Sequence, residues 1–314
     1  MAQRRKVVRP RRASRAPFMI LITAIFVLSI TLTSSFVSFI AEDMSMPNVN
    51  KLALTVKTMY GDSVELPAIK ETADMYRTLK LQQPKDETDE DVVTERVKAE
   101  TWVAETKMVD DSYFDDAVFI GDSVSVGLRV YGVVPKKNVL AAQNVGITSF
   151  TRDYAVYTTT GSQKKTVFDA IPEAVPDPGK IYILIGANSM PGLSNKAHIE
   201  YYAEFLDRLQ AAYPETIIYV ESLTPLAASS SYIRNSFNKT KINEFNDMLY
   251  ELAKEKGIYF LNVEEALMDK NGNLISDYDA GDGLHLKSNG HKAMYRYYRK
   301  HAVQPDGYIE KVVK

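Results

Sequence analysis

Cysteine is absent from the 314 residues of this chain, and histidine occurs only four times and tryptophan once. Without cysteine the protein has no disulfide bonds, no thiolate metal ligands and no cysteine nucleophile. This absence permits an oxidising compartment but does not identify one. Strong compositional bias is also absent, since 45% of the residues are hydrophobic and 25% are charged. These fractions exclude a collagen-like or wholly disordered protein and predict one sizeable domain with accessory sequence.

Charge is missing from one segment near the N-terminus. Residues 17–41 contain no charged side chain, whereas residues 1–16 carry seven basic side chains and no acidic one. As a helix, the uncharged segment would be about 37 Å long, enough to cross a hydrocarbon core of ~30 Å. We interpret residues 17–41 as a transmembrane helix, with a cytoplasmic basic tail before it and everything after it extracytoplasmic. A cleaved signal peptide is the alternative, but the apolar run is long for one and no A-x-A site ends it.

The rest of the chain is acidic and begins with a segment of low periodicity. Beyond the basic tail, 31 basic residues stand against 40 acidic ones, a net charge of −9. An acidic body argues against nucleic acid as a partner. Residues 42–110 contain no long periodic segment and include an acid-rich stretch over residues 84–100. We interpret residues 42–110 as an extracytoplasmic stalk or accessory segment that holds the main domain off the membrane.

From residue 111 onward, short apolar runs alternate with helical patterns. The runs cover residues 117–120, 139–145, 181–186, 216–222 and 258–263, and the helical patterns lie near residues 163–172, 198–213, 239–255 and 288–302. Most runs are rich in β-branched or aromatic residues without strict alternation, which is typical of strands buried on both faces of a parallel sheet. Residues 111–314 are therefore predicted to form a doubly wound, three-layer α/β/α domain with a five-stranded, mainly parallel sheet. In such sheets, sites lie at the carboxyl ends of the strands.

Side chains suited to acyl transfer follow these predicted strands. Ser123 follows the first strand within Gly-Asp-Ser-Val, Gly146 follows the second, Asn188 follows the third, and Asp282 and His285 lie beyond the fifth. Acyl transfer needs a nucleophile, a base, a group that orients the base, and hydrogen-bond donors for an oxyanion. These residue types therefore point to an acyl-transfer site at one edge of the sheet.

The order of these blocks resembles the SGNH/GDSL hydrolase superfamily, whose signature blocks supply Ser, Gly, Asn and His in that order. The resemblance covers roughly residues 112–303 and implies a flavodoxin-like fold. It implies that Ser123 is the nucleophile, that His285 is the general base and that Asp282 orients His285. It further implies an oxyanion hole formed by the backbone N–H groups of Ser123 and Gly146 and the side-chain amide of Asn188. No cofactor and no metal is implied.

The sequence departs from the family pattern at two positions. Val124 stands where the family name expects Leu, and Ser189 follows Asn188 where Asp is common, which leaves open what supports that loop. Gly-Asp-Ser-Val also occurs at residues 61–64. This copy has no buried strand before it and no companion blocks, so we interpret Ser63 as a chance repeat.

Several other features have competing interpretations. Asp282, His285 and His291 are the candidates for a metal site, but their spacing matches no common zinc pattern. We expect His291 to be structural, and we expect residues 295–298 to pack on the sheet, with glycan stacking as the alternative. Residues 223–240, after the fourth strand, are expected to shape the substrate cleft.

The predicted function is that of a single-pass, membrane-anchored, extracytoplasmic serine esterase. Its substrate is expected to be an ester, and family analogy favours O-acetyl groups on cell-wall or secreted polysaccharide. One alternative is an O-acetyltransferase that uses the same residues to acylate a glycan. Another is a non-catalytic glycan-binding or assembly module with the same fold.

Overall fold

The computed structural model describes residues 92–151, 156–157, 164–234 and 236–313. The predicted basic tail and transmembrane helix, and the stalk as far as residue 91, lie outside the described residues. Among the helices that are described, none is both long enough and apolar enough to span a bilayer.

Strands and helices follow one another along most of the described chain. The strands are β1 (Thr94–Lys98), β2 (Ala117–Gly121), β3 (Val139–Ala141), β4 (Val156–Tyr157), β5 (Lys164–Lys165), β6 (Lys180–Leu184), β7 (Ile217–Glu221), β8 (Tyr259–Leu261) and β9 (Tyr308–Val312). The α-helices are α1 (Ser123–Val130), α2 (Ile147–Thr151), α3 (Val167–Ala174), α4 (Asn195–Ala212), α5 (Lys239–Lys256) and α6 (Ser288–Arg299). Short 3-10 helices cover Asp111–Phe114, Lys136–Asn138 and Val263–Ala266.

The central sheet has five parallel strands in the order β3-β2-β6-β7-β8. Every residue of β2, β3 and β6 is buried, as expected for strands covered on both faces. The chain passes from β2 to β3 on one side and then to β6 on the other, so the strand order reverses at β2. Ligand sites of open α/β sheets form at such a reversal, beyond the carboxyl ends of the strands. The prediction of an α/β domain with a five-stranded parallel sheet is confirmed.

One face of the sheet carries a row of aromatic rings. Phe119, Tyr182 and Tyr219 occupy the same register on β2, β6 and β7. Their neighbouring ring centroids lie 4.9 and 4.6 Å apart, with planes inclined by 16° in both pairs. Helix α6 covers this row through Tyr298, whose ring centroid lies 5.3 Å from that of Tyr182. The tyrosine-rich end of α6 therefore packs on the sheet, as its amphipathic pattern predicts.

The folded unit begins earlier than the sequence pattern predicts. Strand β1, within the predicted stalk, pairs along its whole length with β9 in an antiparallel ribbon. Val103 is only 1% exposed and Trp102 forms a parallel bridge with Phe260 of β8. The compact unit that contains the described residues runs from Asp89 to Lys314. The predicted domain start at residue 111 is therefore too late, because residues 92–110 are part of the folded structure.

Candidate active site

Ser123 is the first residue of α1, and one residue separates it from the end of β2. The preceding residue, Asp122, caps the helix, because its Oδ1 accepts a hydrogen bond from the Val124 N–H at 3.1 Å. Its Oδ2 accepts a second bond from the Gly186 N–H at 3.4 Å, in the loop that follows β6. Burial raises the pKa of Asp122 to about 6, although the bonds from these two backbone amides oppose the shift. Asp122 thus fixes the turn that presents Ser123 and joins it to the loop after β6.

His285 links Ser123 to Asp282 through its two ring nitrogens. The Ser123 Oγ lies 3.0 Å from His285 Nε2, and His285 Nδ1 lies 2.6 Å from Asp282 Oδ2. Burial opposes ionisation of Asp282, but bonds from the His285 ring and from the His285 and Leu284 N–H groups outweigh it and hold its pKa at about 2. As a carboxylate, Asp282 only accepts hydrogen bonds, so it places the proton on Nδ1. The Nε2 lone pair of neutral His285 then faces the Ser123 hydroxyl.

The loops that carry Gly146 and Asn188 contact each other. The Asn188 Nδ2 donates a hydrogen bond to the Val145 carbonyl at 3.0 Å, which places its amide beside the peptide that leads into Gly146. Within the described chain, neither the Ser123 N–H nor the Gly146 N–H donates a hydrogen bond to another residue. The structure therefore leaves these backbone donors, and one N–H of Asn188, able to bind an incoming oxygen.

The loop that carries Gly146 replaces the last part of a predicted strand. Strand β3 ends at Ala141 rather than at residue 145, and Asn144 turns the chain with a φ of 60°. The hydroxyl of Ser189 supports the loop by accepting a hydrogen bond from the Ile147 N–H at 3.0 Å. A Cβ at Gly146 would collide with that hydroxyl. Ser189 therefore supports the loop that carries Gly146, although serine stands where aspartate is common in the family pattern.

Removing the Asn188 amide tests its predicted role in the oxyanion hole. We expect Asn188→Ala to lower kcat for 4-nitrophenyl acetate by about 10²–10³-fold with little change in KM, because the amide would bind charge that develops only in the transition state. Steady-state kinetics measure both constants. Gln143→Ala, which removes an exposed amide from the neighbouring turn, should leave kcat unchanged. A rise in KM at constant kcat in Asn188→Ala would instead assign the residue to ground-state binding.

His291 lies apart from this group, as expected for a structural residue. Its Nε2 is 2.9 Å from the Val124 carbonyl of α1, and its Nδ1 is 3.1 Å from the Lys287 carbonyl. The imidazole occupies the space that a side chain at Gly127 would fill. Burial lowers the pKa of His291, against the effect of these two contacts. Its ring therefore joins α6 to α1 behind the turn that holds Ser123.

The candidate metal ligands do not converge. Asp282 and His285 bond to each other, whereas both ring nitrogens of His291 face backbone carbonyls. In the part of the chain that the structure describes, no three His, Asp or Glu side chains are grouped in a way that could hold a metal ion.

Tyr232 is a neighbour of His285 that the sequence motifs do not single out. The two ring centroids lie 6.3 Å apart, with planes inclined by 77°. Tyr232 belongs to the segment 223–240 that is expected to shape the cleft, where it follows three consecutive serines. The sequence signal that could have identified Tyr232 is a large aromatic residue in a polar loop at the carboxyl end of a strand.

Comparison with known proteins identifies the family of the chain. The model of the GDSL-like lipase/acylhydrolase family matches residues 119–293, more than half of the chain and the whole of the site described above. The chain belongs to this family and is an ester hydrolase.

Solved structures that are similar to the chain are distant from it in sequence. One is a Streptococcus pneumonia protein whose name refers to platelet activating factor, with 23% identity, a TM-score of 0.47, and coverage of 58% of this chain and 81% of that one. Another is a GDSL-like lipase from Bacteroides thetaiotaomicron, with 18% identity, a TM-score of 0.45, and coverage of 57% and 83%. No curated protein matches the chain.

Proposed function

We propose that the chain is a serine esterase that removes small O-acyl groups, above all acetyl, from a polysaccharide outside the cytoplasmic membrane. The observation that carries the serine mechanism is the line of hydrogen bonds from Asp282 through His285 to Ser123. Ser123 and His285 are both partly exposed, so an ester can reach them from solvent.

The acylation step uses the two hydrogen bonds of His285. The Ser123 Oγ attacks the ester carbonyl carbon while its proton passes to His285 Nε2, and the imidazolium that forms is stabilised by ionised Asp282. The carbonyl oxygen becomes an oxyanion that accepts hydrogen bonds from the N–H groups of Ser123 and Gly146 and from the Asn188 amide. The bond to the alcohol oxygen then breaks, and His285 returns the proton to the departing alcohol.

Deacylation repeats these steps with water in place of serine. His285 takes a proton from a water molecule, whose oxygen attacks the acyl-serine carbonyl carbon. The second oxyanion uses the same donors, the bond to Ser123 Oγ breaks, and His285 returns the proton to Ser123. The products are a carboxylic acid, the free alcohol and the original enzyme.

The proposed substrate and location rest on sequence and analogy. Seven basic residues before an uncharged stretch at residues 17–41 favour a membrane anchor with the esterase domain outside. An acidic enzyme body at the outer face of a membrane is suited to uncharged or weakly charged polymers rather than to polyanions. Ester-linked acetyl groups on an extracytoplasmic polysaccharide fit both features.

Labelling with a fluorophosphonate probe tests the serine mechanism without knowledge of the substrate. We expect the purified full chain to be labelled, because an activated serine attacks phosphorus as it attacks an ester carbonyl. Labelling should be lost in Ser123→Ala and retained in Ser63→Ala, the matched control in the second Gly-Asp-Ser-Val sequence. A folded protein that is not labelled would refute the serine mechanism and favour a glycan-binding module.

The same reagent can test the proposed location. A charged fluorophosphonate that cannot cross membranes should label Ser123 in intact cells as strongly as in lysed cells. Labelling that requires lysis would place the domain inside the cell and overturn the extracytoplasmic proposal.

Release of acetate from acetylated polysaccharide, with no transfer to added sugar, would distinguish hydrolysis from acyl transfer.

A further inference from the structure

We propose that Tyr232 forms the binding surface for the alcohol part of the ester and makes the enzyme select esters of cyclic alcohols. This inference rests on the proposed serine mechanism and names the class of alcohol that the site takes. It is carried by the position of the Tyr232 ring relative to His285 and to the oxyanion donors.

Tyr232 stands on a loop that is tied to the His285 loop. The Ala227 N–H donates a hydrogen bond to the Gly283 carbonyl at 3.0 Å. Gly283 has a φ of +80°, and a Cβ there would lie 2.5 Å from the Cα of Ser230, so the two backbones are in close contact. The Tyr232 N–H then donates to the Ser230 Oγ at 3.2 Å. These contacts hold Tyr232 and His285 in a defined relation.

The same loop is fixed on its other side by Lys241 of α5. The Lys241 ammonium donates to the Ser236 carbonyl at 3.2 Å, and to the carbonyls of Met190 and Leu193 at 2.5 and 2.7 Å. The last two carbonyls belong to the loop that also carries Asn188. One side chain therefore joins the Tyr232 loop to the Asn188 loop, and Tyr232 is presented by a preorganised segment.

The chemistry of the reaction decides which part of the ester Tyr232 meets. The departing alcohol oxygen must accept its proton from His285 Nε2, so the alcohol lies beside His285, whose ring centroid is 6.3 Å from that of Tyr232. The carbonyl oxygen of the ester instead accepts hydrogen bonds from the Gly146 N–H and the Asn188 amide. Gly146 follows β3, across β2 from β7 and Tyr232, whereas Asn188 follows β6, which lies between β2 and β7. The contact of Tyr232 with His285, the group that protonates the alcohol, therefore places Tyr232 on the alcohol side.

The exposed surface of Tyr232 is suited to a ring with an apolar face. The side chain is partly exposed, and its hydroxyl forms no hydrogen bond with another described residue. A tyrosine offers a rigid apolar ring and a polar tip at low cost in conformational entropy. A saturated ring such as a pyranose presents C–H groups to such a surface and hydroxyls to its edge, whereas a short linear alcohol covers little of it.

Two series of esters separate the alcohol side from the acyl side. One holds the acetyl group constant and varies the alcohol through ethyl acetate, cyclohexyl acetate and methyl 6-O-acetylglucopyranoside. The other holds 4-nitrophenol constant and varies the acyl group from acetate to butyrate and hexanoate. We expect Tyr232→Ala to lower kcat/KM about tenfold or more for both ring alcohols and less than about threefold for ethyl acetate. The relative rates along the acyl series should be unchanged.

Controls distinguish recognition by Tyr232 from a general loss of structure. Tyr232→Phe keeps the ring and should keep the preference for ring alcohols, while Tyr308→Ala removes a 40%-exposed tyrosine from β9 and should match the wild type. An equal loss on all esters, an altered acyl profile, or an unchanged alcohol preference in Tyr232→Ala would each overturn the inference. A wild type without Ser123-dependent turnover would instead refute the proposed function itself, so the two failures are distinguishable.

Discussion

Replacing Ser123 or His285 with alanine is expected to lower kcat for ester hydrolysis by about 10⁴–10⁶-fold, and replacing both should lower it no further. The reason is that the 3.0 Å contact between Ser123 Oγ and His285 Nε2 makes them one functional unit. Without the base the hydroxyl keeps its proton, and without the hydroxyl the base has no nucleophile to activate. The measurement is kcat and KM for 4-nitrophenyl acetate in the two single variants and the double variant.

Asp282→Asn provides the matched test of orientation. An asparagine side-chain oxygen can still accept the Leu284 and His285 N–H bonds, but an amide cannot stabilise the His285 imidazolium as a carboxylate does. We expect a loss of about 10⁴-fold in kcat with little change in thermal stability.

The outcome that would contradict the first prediction concerns the Ser123/His285 double variant. If the losses of the two single variants multiply in it, the two side chains act independently and do not share one mechanism.

The sheet could be predicted from the sequence because its strands are defined by local composition. β2 is a continuous apolar run, β6 is apolar after its first residue, Lys180, and all residues of both strands are buried, so the pattern alone identifies them. β1 could not be found in this way. Within this strand only Thr94 and Val97 are partly buried, and the other residues are exposed. Its partner β9 (Tyr308–Val312) lies far from it in the sequence. A short strand that pairs at such separation leaves little local signal.

The candidate site also has a part that the sequence predicts and a part that only the structure shows. Ser123, Gly146, Asn188, Asp282 and His285 could be selected because each follows a predicted strand within a recognisable block, and the structure brings them to one edge of the sheet. The distances between these residues could be obtained only from the structure. The roles assigned to them stay predictions until the variants are measured.

Other contacts near the site depend on positions that no motif fixes. The bond from Ile147 to the Ser189 hydroxyl joins residues 42 positions apart. The approach of Tyr232 to His285 depends on the conformation of a loop that carries no motif. The turn at Asn144, with its φ of 60°, also ended β3 earlier than the apolar run indicated.

A buried glutamate beneath the site leads to a prediction about stability and pH. Glu221, the last residue of β7, is 2% exposed, and its Oε2 accepts a hydrogen bond from the Tyr298 hydroxyl at 2.6 Å. Burial raises its pKa from 4.5 to about 8, although the bond from Tyr298 lowers it. Between these two values the folded protein holds a proton that the unfolded chain has released. The free energy of unfolding therefore falls as pH rises through this interval.

Glu221→Gln removes this titration and keeps an oxygen that can accept the Tyr298 bond. Relative to the wild type, the variant should gain on the order of 4 kcal/mol in free energy of unfolding between pH 5 and pH 9. Urea unfolding at a series of pH values measures both proteins, and their difference cancels the other titrating groups. Tyr298→Phe should act in the opposite direction, because loss of the hydrogen bond raises the pKa of Glu221 further and extends the decline to higher pH. If the wild-type and Glu221→Gln curves run parallel, Glu221 ionises equally in the folded and unfolded chain, and burial at the end of β7 does not oppose its charge.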